Sequence, residues 1–154
     1  MPSKFLLSPS ALPAAELAWM AGIVDGEGCI YIVKWSVANR KTPVYIMGVS
    51  ISVTKGDLSM FVANFGGSKR PILLNHPVHK DQFKWEVKNL KAERFLLAIQ
   101  PYLKWKHEQA VIALELQRSL SNRSHGAPVE VPVGVLTLRE LLYQKMAVLN
   151  KRGK

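Results

Sequence analysis

The sequence predicts an α+β domain with an αββαββα core and further helices after it: a four-stranded, antiparallel, saddle-shaped sheet with its helices on one face. The hydrophobic period switches between helical and alternating values in that order along the chain. The links within each pair of alternating segments are short or turn-rich, as antiparallel hairpins require. A hydrophobic fraction of 48% over 154 residues is enough for a sizeable core. This length suits one domain, placed at 14–154 behind an irregular lead-in at 1–13 that holds Pro2, Pro9 and Pro13.

Residues 14–25 form the first helix, and Leu17, Trp19, Met20, Ile23 and Val24 give it apolar cover round most of its circumference, so burial on most sides is expected. Ala18, Ala21, Gly22 and Gly26 punctuate it with small side chains, at spacings that let two helix backbones approach closely. From Cys29 to Trp35 the period becomes two, in β-branched and aromatic residues, which is the first strand. A turn at 39–43 leads to a second strand at 44–54, with Met47, Val49, Ile51 and Val53 inward and Gly48, Ser50 and Ser52 outward. Residues 57–65 read as a short helix stopped by Gly66 and Gly67, and a third strand begins near Ser68. A loop at 75–81 precedes a fourth strand from Gln82 to Lys88, with Phe83, Trp85 and Val87 inward and Lys84, Glu86 and Lys88 outward. Helical periodicity returns at Lys91, breaks at Pro101 and resumes over 102–120. After a polar loop at 121–134, Thr137 and Glu140 have the spacing of a capping box, opening a last helix that ends near Asn150.

Lys and Arg number 21 against 11 Asp and Glu, a formal net charge of +10. The excess is one over residues 1–65, five over 66–110 and four over 111–154, so it gathers on the second half of the domain. A folded, strongly basic surface suits a polyanion: nucleic acid, an anionic membrane surface or an acidic protein. There is no apolar run of membrane-spanning length and no signal-peptide core, so an intracellular location is expected, cytoplasmic, nucleoid-associated or organellar. The single cysteine, Cys29, rules out an internal disulfide, and one Cys with four His makes no Cys-rich zinc module. His76 and His79 read as loop histidines, solvated or facing phosphate.

Asp25 and Glu27, flanked by Gly26 and Gly28, stand at the C-terminal end of an apolar helix, where unpaired carbonyls already concentrate negative charge. Such an end asks for a cation. A carboxylate beside a freed carbonyl offers hard oxygen ligands to a divalent metal, although the same four residues also suit a plain surface turn.

The stretch Met20-Ala21-Gly22-Ile23-Val24-Asp25-Gly26-Glu27-Gly28 resembles the LAGLIDADG motif of homing endonucleases, with mild substitutions. The element order that follows and the segment Pro101-Tyr102-Leu103-Lys104-Trp105-Lys106 are similar to that family too, so the resemblance covers roughly residues 14–120. It implies a site-specific endonuclease acting on double-stranded DNA at a long pseudo-palindromic site, leaving short 3′ overhangs. It also implies Mg2+, with Mn2+ or Ca2+ able to substitute for binding, and no small-molecule cofactor or membrane partner. Carried over residue by residue, Glu27 and the Gly26 carbonyl would bind the metal, while Lys106 and Lys55 would offset charge in the transition state. With a single copy of the motif the resemblance implies a homodimer, with Ala18, Ala21, Gly22 and Asp25 at the interface.

By alternation, the exposed sheet face expected to read DNA comprises Tyr31, Val33, Trp35, Gly48, Ser50, Ser52, Arg70, Gln82, Lys84 and Glu86. Arg40, Lys41, Lys69, His76, His79, Lys80 and Lys88 are expected on phosphates or in loops. A slip of one residue in strand register would exchange the two faces. Two other functions fit the same resemblance: an RNA-binding maturase for intron splicing, and a DNA-binding regulator that does not cut. A nuclease centre formed by Asp81, Glu86 and Lys88 also has suitable spacing, which an ordinary alternating strand shares.

Overall fold

The computed structural model describes residues 12–73, 77–78, 80–121 and 131–151. In chain order these form α1 (Ala14–Glu27), β1 (Gly28–Trp35), β2 (Val44–Val53), α2 (Ser59–Phe65), β3 (Ser68–Ile72), β4 (Gln82–Lys88), α3 (Asn89–Ile99), α4 (His107–Ser121) and α5 (Val133–Asn150). A 3₁₀ turn at Gln100–Tyr102 separates α3 from α4 at Pro101.

The four strands form one antiparallel sheet in the order β1-β2-β4-β3. Gly28 lies opposite Ile51, Val49 opposite Val87 and Trp85 opposite Lys69. Because β1 and β2 run on past Lys88, where β4 ends opposite Gly48, their far ends form a two-stranded overhang. Met47, Val49, Ile51, Trp85 and Val87 are buried on the helix side, as their alternation requires. There Trp85 meets Phe61 and Phe95 with ring centroids 5.0 and 4.9 Å apart, and its Nε1 donates to the Gly66 carbonyl at 2.8 Å. That bond fixes the turn after α2. Gly66 and Gly67 take φ of +74° and +87° there, and a Cβ at Gly67 would sit 2.4 Å from the Glu86 carbonyl oxygen, so a side chain is excluded.

Several boundaries differ from the sequence expectation. The first helix runs on through Gly26 to Glu27, so the acidic pair is helical. It is buried on one side only, by Leu17, Met20, Ala21, Val24 and Asp25, whereas Trp19 is 45% exposed. The fourth helix starts at His107, since residues 103–106 form an extended and bent lead-in. The last helix starts at Val133 behind Pro132, one turn before the expected capping box. Thr137 therefore lies inside it, its Oγ1 donating to the Val133 carbonyl at 2.9 Å. Phe83 keeps the inward phase of Trp85 but is 43% exposed, at the end of its strand beyond the helical cover.

Candidate functional site

At its C-terminal end α1 meets the lead-in to α4 in a reciprocal clasp. The Asp25 carboxylate accepts the backbone N–H groups of Lys104, Trp105 and Lys106 at 2.8, 3.1 and 3.0 Å. In return the Lys106 ammonium donates to the carbonyls of Val24 at 2.9 Å and Asp25 at 2.7 Å. Three donors that no helical turn uses and two carbonyls at a helix end are satisfied together. A cation at a helix C-terminus also opposes the macrodipole, so the compensating charge that the acidic end asked for is supplied from within the chain.

Lys106 is buried at 8% exposure with its ammonium engaged on the end of α1. Glu27 is exposed at the last position of α1, with Gly26 exposed before it. Lys55 is also exposed, in the bend after β2, and the pairing of Gly28 with Ile51 puts that bend at the same end of the sheet as Glu27. A cleft of about 360 Å3 opens beside the clasp, lined in part by Asp25, Gly28, Cys29 and Lys106.

The small residues of α1 divide between its two sides. Ala18, Gly22 and Gly26 lie four apart on the open side, and a Cβ at Gly22 or Gly26 would meet nothing within 4 Å. Ala21, expected with them, is fully buried in the chain's own core, and Asp25 is engaged in the clasp. The helical spacing makes the reason plain: Ala21 and Asp25 share the side of Leu17 and Val24.

The uncovered sheet face carries the residues that alternation assigned to it, in crossing rows. Tyr31 lies opposite Gly48, which faces Lys88, Ser50 opposite Glu86, and Ser52 opposite Lys84, which faces Arg70. Val33 is half-buried, Trp35 is 51% exposed, and Gln82 is half-buried at the start of β4. Arg40, Lys41 and Lys80 are exposed in loops, and Lys88 is exposed at the strand end. Lys69 departs from expectation: its register opposite Trp85 turns it to the helix side, where it bridges to Asp57 at 3.6 Å. His76 and His79 lie outside the described residues. Alternation carried one step further would have added Cys29, Val44, Ile46, Ser68 and Ile72 to the outer face.

One cluster on this face is already organised. The Tyr31 ring lies over Gly48, where a Cβ would come within 2.4 Å of its hydroxyl oxygen, and that hydroxyl donates to Glu86 Oε2 at 2.6 Å. Lys84 Nζ stands 3.5 Å from the same oxygen. Burial, and then the Glu86 carboxylate, push the Tyr31 hydroxyl up. Burial would raise Glu86 as well, but the Tyr31 hydrogen bond and the charges of Lys84 and Lys88 outweigh it and hold the carboxyl below its ordinary range. Glu86 is thus an ionised acceptor on the sheet, partnered by Tyr31 and Lys84.

No group of three or more His, Cys, Asp or Glu capable of holding a metal occurs among the described residues. A Mg2+ site does not require one, because this ion commonly takes one or two carboxylates and completes its octahedron with water and phosphate oxygens. Glu27 and the Gly26 carbonyl are hard oxygen donors of the right kind for it.

No protein-family model matches the sequence, and no curated protein matches it either. Solved structures do. The homing endonuclease I-CvuI, in complex with the I-CreI target in the presence of Mg with the DNA not cleaved, superposes with a TM-score of 0.70 at 22% identity, over 91% of this chain and 85% of that one. The archaeal intron-encoded homing endonuclease I-Vdi141I, complexed with DNA, gives 0.71 at 16% identity, over 91% and 87%. The LAGLIDADG homing endonuclease I-SmaMI, bound to cleaved DNA, gives 0.64 at 15% identity, and this chain covers 87% of itself but 44% of that chain. The fold of this chain is that of the LAGLIDADG homing endonucleases.

Proposed function

We propose that this chain, which has the LAGLIDADG homing-endonuclease fold, is a metal-dependent, site-specific endonuclease of double-stranded DNA that works as a homodimer. The observation that carries the proposal is the position of Glu27. Its exposed carboxylate stands where an open helix face lined by Ala18, Gly22 and Gly26 meets the end of an uncovered, largely polar sheet face. A second copy packed on the open side of α1 would bring two Glu27 carboxylates near one dyad, and two-fold symmetry would then favour a pseudo-palindromic site.

A Mg2+ ion held by Glu27 and the Gly26 carbonyl would polarise the phosphate and lower the pKa of a water. The chain's own residues do the positioning. Asp25 and Lys106 lock the last turn of α1 onto the lead-in to α4, so that Glu27 projects from a fixed base. Lys55 offers an exposed cation at the same end of the sheet. The outer face presents donors from Arg70, Lys84 and Gln82 and an acceptor from Glu86 to base edges, while Arg40, Lys41, Lys80 and Lys88 suit phosphates.

Selection of cut sites from a randomised duplex library in Mg2+, followed by the same assay on Glu27→Gln, tests the proposal. The variant should bind the selected duplex with little change and fail to cut it. Undiminished cutting by Glu27→Gln would overturn the assignment. Duplex binding with no Mg2+-dependent cutting by the parent protein would favour the silent regulator, and preference for a structured intron RNA the maturase. Light scattering in the presence of DNA should give a dimer.

A further inference from the structure

We propose that the β1–β2 overhang reads thymine methyl groups, making Val33, Trp35, Val44 and Ile46 specificity determinants for A·T pairs in the outer part of each half-site. The inference rests on the endonuclease reading and names what one portion of its surface recognises. On the outer face Val33 lies opposite Ile46 and Trp35 opposite Val44, two consecutive cross-strand pairs with no polar side chain among them. Trp35 is 51% exposed, the other three are half-buried, and β4 does not extend alongside them. Beyond the adjoining row of Tyr31, Gly48 and Lys88, the outer face changes to Ser50, Ser52, Lys84 and Glu86.

The back of the overhang is braced. On the helix side Lys34 Nζ sits 2.8 Å from Glu140 of α5, the Tyr45 hydroxyl donates to the same carboxylate oxygen, and Asn150 Nδ2 donates to the Ile30 carbonyl at 2.8 Å. A two-stranded ribbon alone is marginally stable, and this bracing makes it a firm platform. Its apolar surface is therefore presented, not collapsed. Arg40 and Lys41, exposed in the connecting loop, flank it with positive charge, which favours a polyanion over an apolar protein partner.

In a duplex major groove the apolar feature of a base edge is the thymine 5-methyl, whereas a G·C edge pressed on aliphatic side chains would lose its hydrogen bonds to water. The register also gives the location. Val33 and Trp35 are five and seven residues beyond Gly28, about 17–23 Å from the end of α1 at a strand rise of about 3.3 Å. At about 3.4 Å per base pair, that is roughly five to seven base pairs from the cut.

The test uses the full chain with Ca2+, and duplexes selected from a randomised library, in which each thymine is replaced in turn by deoxyuridine. Replacement about five to seven base pairs outward from the cut should weaken binding about threefold to fourfold for each methyl removed, and replacement nearer the cut should not. Val33→Thr, which keeps the side chain's shape, should flatten the selected preference at one position per half-site without flattening the others. Specific binding that is indifferent to deoxyuridine throughout that window would overturn the inference and leave the endonuclease reading intact. A library that yields no preferred duplex would overturn both.

Discussion

Replacing Lys106 by Met tests whether its ammonium is a structural clamp or acts at the open surface. Methionine preserves most of the aliphatic stem, and the change removes the two bonds to the Val24 and Asp25 carbonyls, at 2.9 and 2.7 Å. A hydrogen bond to a charged group contributes about 1.5–3 kcal/mol, and a cation at a helix C-terminus about 0.3–2 kcal/mol. These contributions overlap, since one ammonium supplies both, which gives a loss of about 2–4 kcal/mol. For a domain of this size each kcal/mol moves the melting temperature by about 2–4 °C, so Lys106→Met should melt about 4–16 °C below the parent. Far-UV circular dichroism during heating measures it. DNA cutting should fall as well, assayed well below the variant's melting temperature, because Glu27 would project from a frayed helix end. If the variant melts within about 2 °C of the parent, the clamp assignment is refuted, and lost cutting at unchanged stability would return Lys106 to the surface role implied by the resemblance.

Two further outcomes follow from the packing. The Lys34 ammonium, and then the Tyr45 hydroxyl, hold the Glu140 carboxyl down from the ordinary 4.5 to about 2. A depressed folded value means that this stabilisation is present above the ordinary value and is lost as pH falls toward 2. Glu140→Gln should therefore be less stable than the parent at neutral pH, and the difference should close on acidification, as read by urea unfolding across that range. Gly48→Ala would place its Cβ 2.4 Å from the Tyr31 hydroxyl oxygen, so the ring must leave Glu86. We expect a loss of about 1–3 kcal/mol, and a much smaller cost in a Tyr31→Ala background, measured by a double-mutant cycle. Equal costs in both backgrounds would refute the steric account.

What was legible in the sequence was the part governed by local alternation. Phe83, Trp85 and Val87 against Lys84, Glu86 and Lys88 gave the bounds of β4 correctly, because one buried face fixes the phase of a strand. The edge strand β3 has no such pattern in Ser68-Lys69-Arg70-Pro71-Ile72, and there Lys69 was assigned without regard to its side of the sheet. The end of α1 was misread for a different reason. Its capping group is Lys106, 82 residues after Val24, and no local rule joins a helix terminus to a cation that distant. The same holds for Glu140, whose partners Lys34 and Tyr45 lie on the other side of the domain's chain order. The nonapeptide that carries Glu27 was legible because it is local. What holds Glu27 in place was not.

These long-range partners also qualify the formal charge of +10. Lys106 caps α1, Arg139 is buried and donates to the Ser119 carbonyl, Arg94 donates to the Asn64 carbonyl, and Lys34 and Lys69 bridge to acids on the helix side. Such cations organise the fold and are poorly placed to replace counterions along a duplex. The salt dependence of binding follows the number of phosphates contacted, not the net charge. On the proposed function that number would be set by cations with outward reach, such as Arg40, Lys41, Lys80 and Lys88. Lys84 is in part held back by Glu86. On the proposed function, the sheet face would combine a restrained electrostatic attraction with groups able to discriminate between bases, which is the balance a protein needs if it is to leave non-specific DNA and settle on one site.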